Sequence, residues 1–245
     1  MCGIFGIFNI LNSQNYEHFF MKGKSRGPDN SVFIKETNNI TLGFHRLSIN
    51  GIDAESNQPL KIDKITLICN GEIYNYKSLY QMLNIVPSTN SDCEVIIHIY
   101  QKYGIDHTLQ LLDGVFAFIL IDHEKNESYI ARDPYGVRPL FKFQYDDCYI
   151  FSSEIKMIPT NMLNELTIFN SRKIQQFIPG HYMKMKTSTT LNTIEYMQKY
   201  TMTPFSFSMS NCDPDFSISN ILQNINIYFT NAVKKRCMNT DREYC

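Results

Sequence analysis

The sequence predicts an α+β protein in which antiparallel sheets carry helices on their outer faces. Strand-like segments rich in β-branched and aromatic residues come first, two helical patterns follow, and strands return. That order differs from a regular βαβ alternation and so disfavours a doubly wound nucleotide-binding sheet. The chain has 245 residues, 43% apolar and 13% aromatic, enough for a sizeable core. Sheet-rich folds of about 200–250 residues often remain one domain, so one domain with a C-terminal extension is expected.

The elements follow in order. Ile4–Phe8, Ile40–Ile49 and Ile65–Cys69 read as strands. Asn75–Leu83 and Asp92–Tyr103 read as helices; the second places Val95, Ile96, Ile99 and Tyr103 on one face, with Ser91-Asp92 as its cap. Val115–Asp122, Glu127–Arg132, Leu140–Tyr145 and Cys148–Ser152 are the returning strands. Turn residues at Arg26-Gly27-Pro28-Asp29, Asn70-Gly71, Asp133-Pro134-Tyr135-Gly136 and Pro179-Gly180 punctuate them. Residues 201–217, rich in Ser, Pro, Met and Asn, read as a linker. Beyond it Ile218, Ile221, Leu222, Ile225, Tyr228, Phe229 and Ala232 recur at helical spacing, and Lys234-Lys235-Arg236 complement the dipole at the helix end. The wide apolar face of this helix over Ile218–Val233 either packs on its own domain or opens a second one. Left uncovered, it would favour self-association, for instance as a homodimer.

Composition excludes several classes. Lysine plus arginine number 23 and aspartate plus glutamate 24, a net charge of −1, which gives no electrostatic case for nucleic acid or an anionic membrane. The longest purely apolar run, Val115 to Ile121, falls far short of the roughly 20 residues a spanning helix needs. The seven cysteines, Cys2, Cys69, Cys93, Cys148, Cys212, Cys237 and Cys245, are scattered without a close pair, against a disulfide framework or zinc knuckle. The segment Met1 to Phe8 has no basic region, secretory apolar stretch or cleavage site, so a reducing cytoplasm is expected.

The chemistry starts at the N-terminus. An initiator methionine before a small residue is generally removed, which would put a thiol and a free α-amine on one residue, Cys2. The reference values, about 7.7–8.0 for the amine and about 8.5 for the thiol, let the amine take the thiol proton directly or through water. This is an activated nucleophile that needs no histidine. Asn70-Gly71, directly after an apolar strand, offers an amide NH2 and a glycine NH as donors for an oxyanion. The same dipeptide is also the commonest hairpin turn signal. Arg46 can grip a carboxylate with its planar fork, while Glu72 and Asp92 can accept from an ammonium, together fitting the head of an amino acid. His45, beside Arg46, could be read as a base, but the amine fills that role and a structural part is expected of it.

Cys2-Gly3-Ile4-Phe5-Gly6, Arg26-Gly27-Pro28-Asp29, His45-Arg46-Leu47-Ser48-Ile49, Asn70-Gly71-Glu72-Ile73-Tyr74-Asn75, Asp92-Cys93-Glu94, Gly114 to Phe118, Arg132 to Leu140 and Ser153-Glu154 resemble, in order and spacing, the class II glutamine amidotransferase domain. The resemblance is nearest to the glutaminase half of glutamine-dependent asparagine synthetase, and Phe177 to Tyr182 and Asn231 to Arg236 extend it toward the C-terminus. It implies an N-terminal nucleophile hydrolase fold, a four-layer αββα sandwich of two antiparallel sheets, over residues 2–200. Residues 201–245 would then be a linker and a helix leading into an ATP-dependent synthetase domain.

Roles follow from the same resemblance. Cys2 is the nucleophile; Asn70 and the Gly71 NH form the oxyanion hole; Arg46 takes the α-carboxylate of L-glutamine, and Glu72 and Asp92 its α-ammonium. The backbone from Leu47 through Ser48 and Ile49 to Asn50 lines the pocket, although Ile49-Asn50-Gly51 departs from bacterial relatives, which place a small apolar residue and aspartate there. The acidic and aromatic residues of the loop from Asp133 to Leu140 read as architectural. No cofactor is expected in this domain. ATP and Mg belong to the synthetase half, whose Ser-Gly-Gly-Leu-Asp-Ser phosphate loop the 245 residues do not contain. Two alternatives are the glutaminase domain of another class II member, such as a phosphoribosylpyrophosphate or fructose-6-phosphate amidotransferase, and a non-catalytic module retaining the fold.

Overall fold

A computed structural model describes residues 1–10, 15–159, 174–201, 217–237 and 241. Two compact units divide the chain, Met1–Thr201 and Met202–Cys245. Among its described residues the first unit holds twelve strands: β1 (Gly3–Phe8), β2 (Asn30–Glu36), β3 (Ile40–Arg46), β4 (Leu60–Ile62), β5 (Ile65–Ile73), β6 (Gly114–Asp122), β7 (Glu127–Arg132), β8 (Phe141–Tyr145), β9 (Cys148–Ser152), β10 (Ile174–Gln176), β11 (His181–Lys186) and β12 (Thr193–Lys199). Helices α1 (Tyr16–Met21), α2 (Tyr76–Leu83) and α3 (Val95–Leu111) complete its main elements.

The strands form two six-stranded sheets, ordered β10-β8-β9-β1-β3-β2 and β12-β11-β7-β6-β5-β4. Every pairing within them is antiparallel. The apolar run in β6 explains how they stack, because successive side chains of a strand point to opposite faces. Ala117, Ile119 and Ile121 join Ile4, Phe8, Leu42, Phe44, Ile68 and Met183 in a core between the two sheets. Phe116, Phe118 and Leu120 point the other way, into a core with Leu79, Leu83, Ile96, Ile99 and Tyr100 from α2 and α3. On the outer face of the other sheet, Phe5 and Ile7 meet Tyr16 and Phe20 of α1. Each such side chain removed from water contributes roughly 1.5–3 kcal/mol. The sheets pack tightly at Gly6, where an added Cβ would lie 2.4 Å from Ile119 Cδ1.

Several boundaries differ from expectation for physical reasons. Asn70-Gly71 makes no turn. It lies inside β5, where Asn70 pairs with Ala117 and Gly71 with Phe116, since the neighbouring strand offers a continuous ladder. The strand starting at Ile40 ends at Arg46 rather than Ile49, because the Arg46 guanidinium is drawn into the following loop. The second helix opens as a short 3-10 turn, Asp92–Glu94; the Ser91 hydroxyl makes no capping bond, and the Asp92 carboxylate instead accepts from Ile73 N at 2.6 Å. Tyr103 is an exposed residue, and Tyr100 with Ile97 takes its place in the core. Helix α3 continues past Tyr103 with a break at Gly104 (φ 76°), a backbone conformation that glycine adopts without strain. Strands β2, β4, β10, β11 and β12 and helix α1 were not marked by periodicity.

The second unit, in its described residues, is helix α4 (Ile218–Cys237). It runs one turn beyond Val233, and Arg236 Nη1 donates to Ala232 O at 3.0 Å in that turn. Most of the expected linker, along with Cys212 and Cys245, lies outside the described residues. Among the described residues no helix is long and apolar enough to cross a membrane.

Candidate active site

Cys2 stands immediately before β1. Because Gly3 pairs with His45 across the β1–β3 ladder, Cys2 falls beside Arg46 and Leu47, where β3 ends. Its Sγ lies 3.4 Å from both Leu47 N and Leu47 O. The Arg26-Gly27-Pro28-Asp29 segment holds this corner from behind. Arg26 Nε donates to Cys2 O at 2.8 Å, Asp29 N to Arg46 O at 3.0 Å, and Ser48 N to the Asp29 carboxylate at 2.8 Å. Glycine is required at position 27, since a Cβ there would sit 2.4 Å from the His45 carbonyl carbon.

The facing sheet brings Asn70, Gly71 and Glu72 on β5, and the 3-10 turn after Ser91 brings Asp92. Together these segments enclose a cavity of about 50 Å³. Of the residues the sequence singled out, Cys2, Arg46, Leu47, Ile49, Asn50, Asn70, Gly71, Glu72 and Asp92 line it. Ser48 is not among the lining residues. Its backbone is turned onto Asp29, so it fixes the loop.

Burial sets the electrostatics of several lining groups. Burial raises the Cys2 thiol pKa, and the hydrogen bond from Leu47 only partly opposes it. Met1, half exposed, also lines the cavity, and partial burial lowers the pKa of its α-amine. Asn70 is buried, and its Nδ2 has no hydrogen-bond partner. A buried donor left unmade costs about 1–3 kcal/mol, which a protein tolerates where a ligand is to supply the acceptor. Gly71 is confined by Phe116 and Val115: a Cβ would come within 2.8 Å of both. Burial pushes the Asp92 carboxyl up to about 6, against bonds from Ile73 N and the Asn50 side chain. Asn50 therefore reaches Asp92, while its own Oδ1 is buried without a partner.

Arg46 is nearly fully buried. Its Nη1 donates to Asp53 O at 2.9 Å and Asn57 Oδ1 at 2.5 Å, and its Nη2 to Gly51 O. Three of the five guanidinium N–H groups thus organise the loop after β3, which leaves two outside that loop.

Sequence reasoning passed over Phe44, Ser56, Gln58, Cys69, Ser91, Cys93 and Arg138, which also line the cavity. Gln58 clamps Cys69, accepting from its N at 2.6 Å and donating to its O at 3.1 Å, much as a neighbouring strand would. No local pattern announces a glutamine in that part. Arg138 sits in the Asp133 to Leu140 loop, whose acidic and aromatic residues were expected to be architectural. Asp133 does build that loop, accepting from Phe116, Tyr135, Val137 and Arg138 N, yet the Arg138 side chain faces the cavity and its Nε is buried without a partner. His45 is wholly buried and outside the cavity. Its Nε2 donates to Phe20 O at 2.9 Å, its Nδ1 faces Ser31 Oγ at 2.7 Å, and its ring stacks on Phe20 at 3.8 Å. Among the described residues no group of three or more His, Cys, Asp or Glu side chains is placed to hold a metal ion.

Comparison with known proteins identifies the family. The glutamine amidotransferase domain family matches residues 1–208. The chain is 37% identical over 257 aligned residues to the glutamine-hydrolysing asparagine synthetase of Rattus norvegicus, and 36% identical to that of Homo sapiens; each alignment covers 99% of this chain and 45% of the relative. The chain thus spans about half the length of the curated relatives it matches. Among solved structures, the glutamine phosphoribosylpyrophosphate amidotransferase of B. subtilis superposes with a TM-score of 0.63 at 20% identity, covering 82% of this chain and 50% of that one. That likeness bears on fold alone, and it agrees with the sandwich of two antiparallel sheets expected from the sequence. With the family match over most of its length, this chain belongs to the glutamine amidotransferase domain family.

Proposed function

We propose that this domain hydrolyses L-glutamine to glutamate and ammonia at Cys2. The observation that carries the reading is the convergence of the Cys2 thiol, the partnerless Asn70 Nδ2 and the Arg46, Glu72 and Asp92 charges on one small cavity.

The free thiol pKa is raised by burial, so the nucleophile needs a base close by. Removal of Met1 supplies one, since it transfers the α-amine to Cys2 itself. The amine takes the thiol proton, and sulfur attacks the side-chain amide carbon. The oxyanion gathers on Asn70 Nδ2 and the Gly71 NH. The protonated amine then gives its proton to the departing nitrogen, which leaves as ammonia. Water, deprotonated by the same amine, splits the γ-glutamyl thioester and restores the thiol. Arg46 holds the substrate carboxylate with the N–H groups its loop does not use; Glu72 and Asp92 hold the ammonium.

The relatives' names support asparagine as the destination of the nitrogen; an ATP-dependent synthetase domain that takes aspartate and Mg, in a longer cytoplasmic protein, belongs to the same proposal. This domain would bind no cofactor of its own. The identity to asparagine synthetases over nearly the whole chain favours that destination over a phosphoribosylpyrophosphate amidotransferase.

The test pairs intact mass with a glutaminase assay. Loss of Met1 together with glutamate release is expected, and Cys2→Ala should abolish turnover while circular dichroism stays unchanged. Turnover with Met1 retained would remove the amine from the mechanism, and full activity in Cys2→Ala would remove the nucleophile.

A further inference from the structure

The two charges proposed to grip the substrate head sit on separate segments. Arg46 ends β3, and Asp92 opens the 3-10 turn after Ser91. What fixes their spacing matters, because a carboxylate and an ammonium on one carbon tolerate little error in it. Asp53 connects the two segments. Its carbonyl accepts from Arg46 Nη1 at 2.9 Å, and its carboxylate accepts from Asn90 Nδ2 and from Ser56 N at 2.8 Å each. Ser56 in turn accepts from Asn90 N on its hydroxyl at 3.1 Å. The Arg46 loop and the segment before Asp92 are therefore joined twice, through the side chain and the backbone of Asn90. The contact is close. At Gly51 (φ 58°) a Cβ would lie 2.4 Å from Ser56 Oγ and 2.7 Å from the Asn90 carbonyl carbon, so a larger residue would push the segments apart. The Asn90 and Ser56 donors hold the Asp53 carboxyl down at about 2, which keeps this acceptor ionised at neutral pH.

Asn90 is itself anchored from the other side. The Glu94 carboxylate is wholly buried and accepts from Ser88 N and Ser88 Oγ at 2.8 Å each and from Thr89 N at 2.6 Å, with His98 Nε2 at 3.0 Å. Burial opposes its charge, yet the His98, Thr89 and Ser88 donors hold the Glu94 carboxyl down at about 2. Ser91 N donates to Thr89 Oγ1 at 3.1 Å, and Glu94 N to Ser91 O at 3.2 Å. Residues 88–91 thus form a fixed strap that ends on Asp92, because a buried carboxylate with several donors makes a stiff anchor. Asp53, Asn90 and Glu94 are not among the residues that line the cavity, so none of them is placed to touch substrate.

We propose that the Asp53–Asn90 pair is a positioning element that sets the spacing of Arg46 and Asp92, and so makes the site specific for an α-amino acid head over a carboxylate alone. The inference rests on the head-group roles given under the proposed function. A ligand with both charges spans the two segments and gains from their fixed spacing. One with the carboxylate alone engages Arg46 and is indifferent to it.

The test swaps the partners. In Asn90→Asp two carboxylates face each other and the link is broken. In the double variant Asp53→Asn with Asn90→Asp, an amide and a carboxylate face each other again with donor and acceptor reversed. Both are made in Cys2→Ala protein, where ligand is not consumed. Binding of L-glutamine and of 4-carbamoylbutanoate, which lacks the ammonium, is followed by NMR titration. Asn90→Asp should weaken L-glutamine binding by about five- to tenfold, the lower range for an exposed hydrogen bond to a charged group, and leave 4-carbamoylbutanoate within about twofold. The double variant should restore most of the L-glutamine affinity. An unchanged L-glutamine affinity in Asn90→Asp, an equal loss for the two ligands, or no recovery in the double variant overturns the proposal and leaves the glutaminase reading in place. Failure of the Cys2→Ala parent to bind L-glutamine overturns the head-group reading and this inference with it.

Discussion

Replacing Asn70 by alanine tests the oxyanion hole and separates catalysis from stability. In the protein without substrate, Asn70 Nδ2 is buried and makes no hydrogen bond, so the substitution breaks no bond of that donor. It removes instead an unsatisfied polar group whose burial costs about 1–3 kcal/mol. Against that gain stands the small void left by the amide, which at about 24 cal/mol per Å3 of residual cavity is a cost of the same size or less. The two nearly cancel, and the expected change is within about 1 kcal/mol, or about 2–4 °C in Tm for a unit of this size. In the transition state the balance is different: the Nδ2–H would meet a developing oxyanion, and loss of one such donor lowers kcat by about 10²–10³. The assay is steady-state glutamate release beside thermal unfolding of the same preparations. A kcat within threefold of wild type, or a stability loss well beyond 2 kcal/mol, refutes the reasoning, because either result means that the side chain serves the fold and not the reaction.

Arg46→Lys should raise the KM for glutamine by about tenfold or more, since a point charge replaces a fork already committed to Gly51, Asp53 and Asn57; an unchanged KM in a titration of glutamate release removes Arg46 from the pocket. Asp92, pushed up to about 6 by burial, has a folded pKa above its unfolded value of about 3.9, so the stability given by its protonated form is full below about pH 4 and is lost as pH rises through about 6. Binding of an ammonium needs the ionised form. The KM for glutamine should therefore climb as pH falls below about 6, and Asp92→Asn should abolish that inflection; a wild-type KM flat across this range excludes the contact. His45→Ala should cost about 2–4 kcal/mol in urea unfolding through the lost stack and two hydrogen bonds, with kcat of the folded protein nearly unchanged. A kcat loss beyond tenfold without unfolding would make His45 catalytic.

Helix α4 and strands β6, β7 and β9 were legible because their apolar periods or runs are long and bounded by turn residues. Helix α1 and strands β4 and β10 are short, and so carry too few residues for a period to show. At Asn70-Gly71 the local signal pointed the wrong way. A dipeptide that turns a hairpin in isolation was held straight by nine successive pairings with β6, and the ladder outweighs the turn propensity. The site was legible in part for a related reason. Cys2, Arg46 and Asp92 belong to chemically distinctive motifs, whereas Gln58 and Arg138 reach the cavity through loops whose path no local pattern encodes.

By itself, then, the sequence determined the kinds of group available to this protein: a cysteine beside the chain terminus, an amide and a glycine next to an apolar run, and charges suited to a zwitterion. It also determined the alternation that splits β6 between two cores, because strand geometry has a fixed period. Only the tertiary structure decided which donors are spent and which are left over. Arg46 gives three N–H groups to its own loop, Asn70 gives none from Nδ2, and Cys69 and Cys93 come to share a cavity with Cys2. Those outcomes depend on pairings between segments far apart in the chain, where distance and burial set the energy and local residue preference does not.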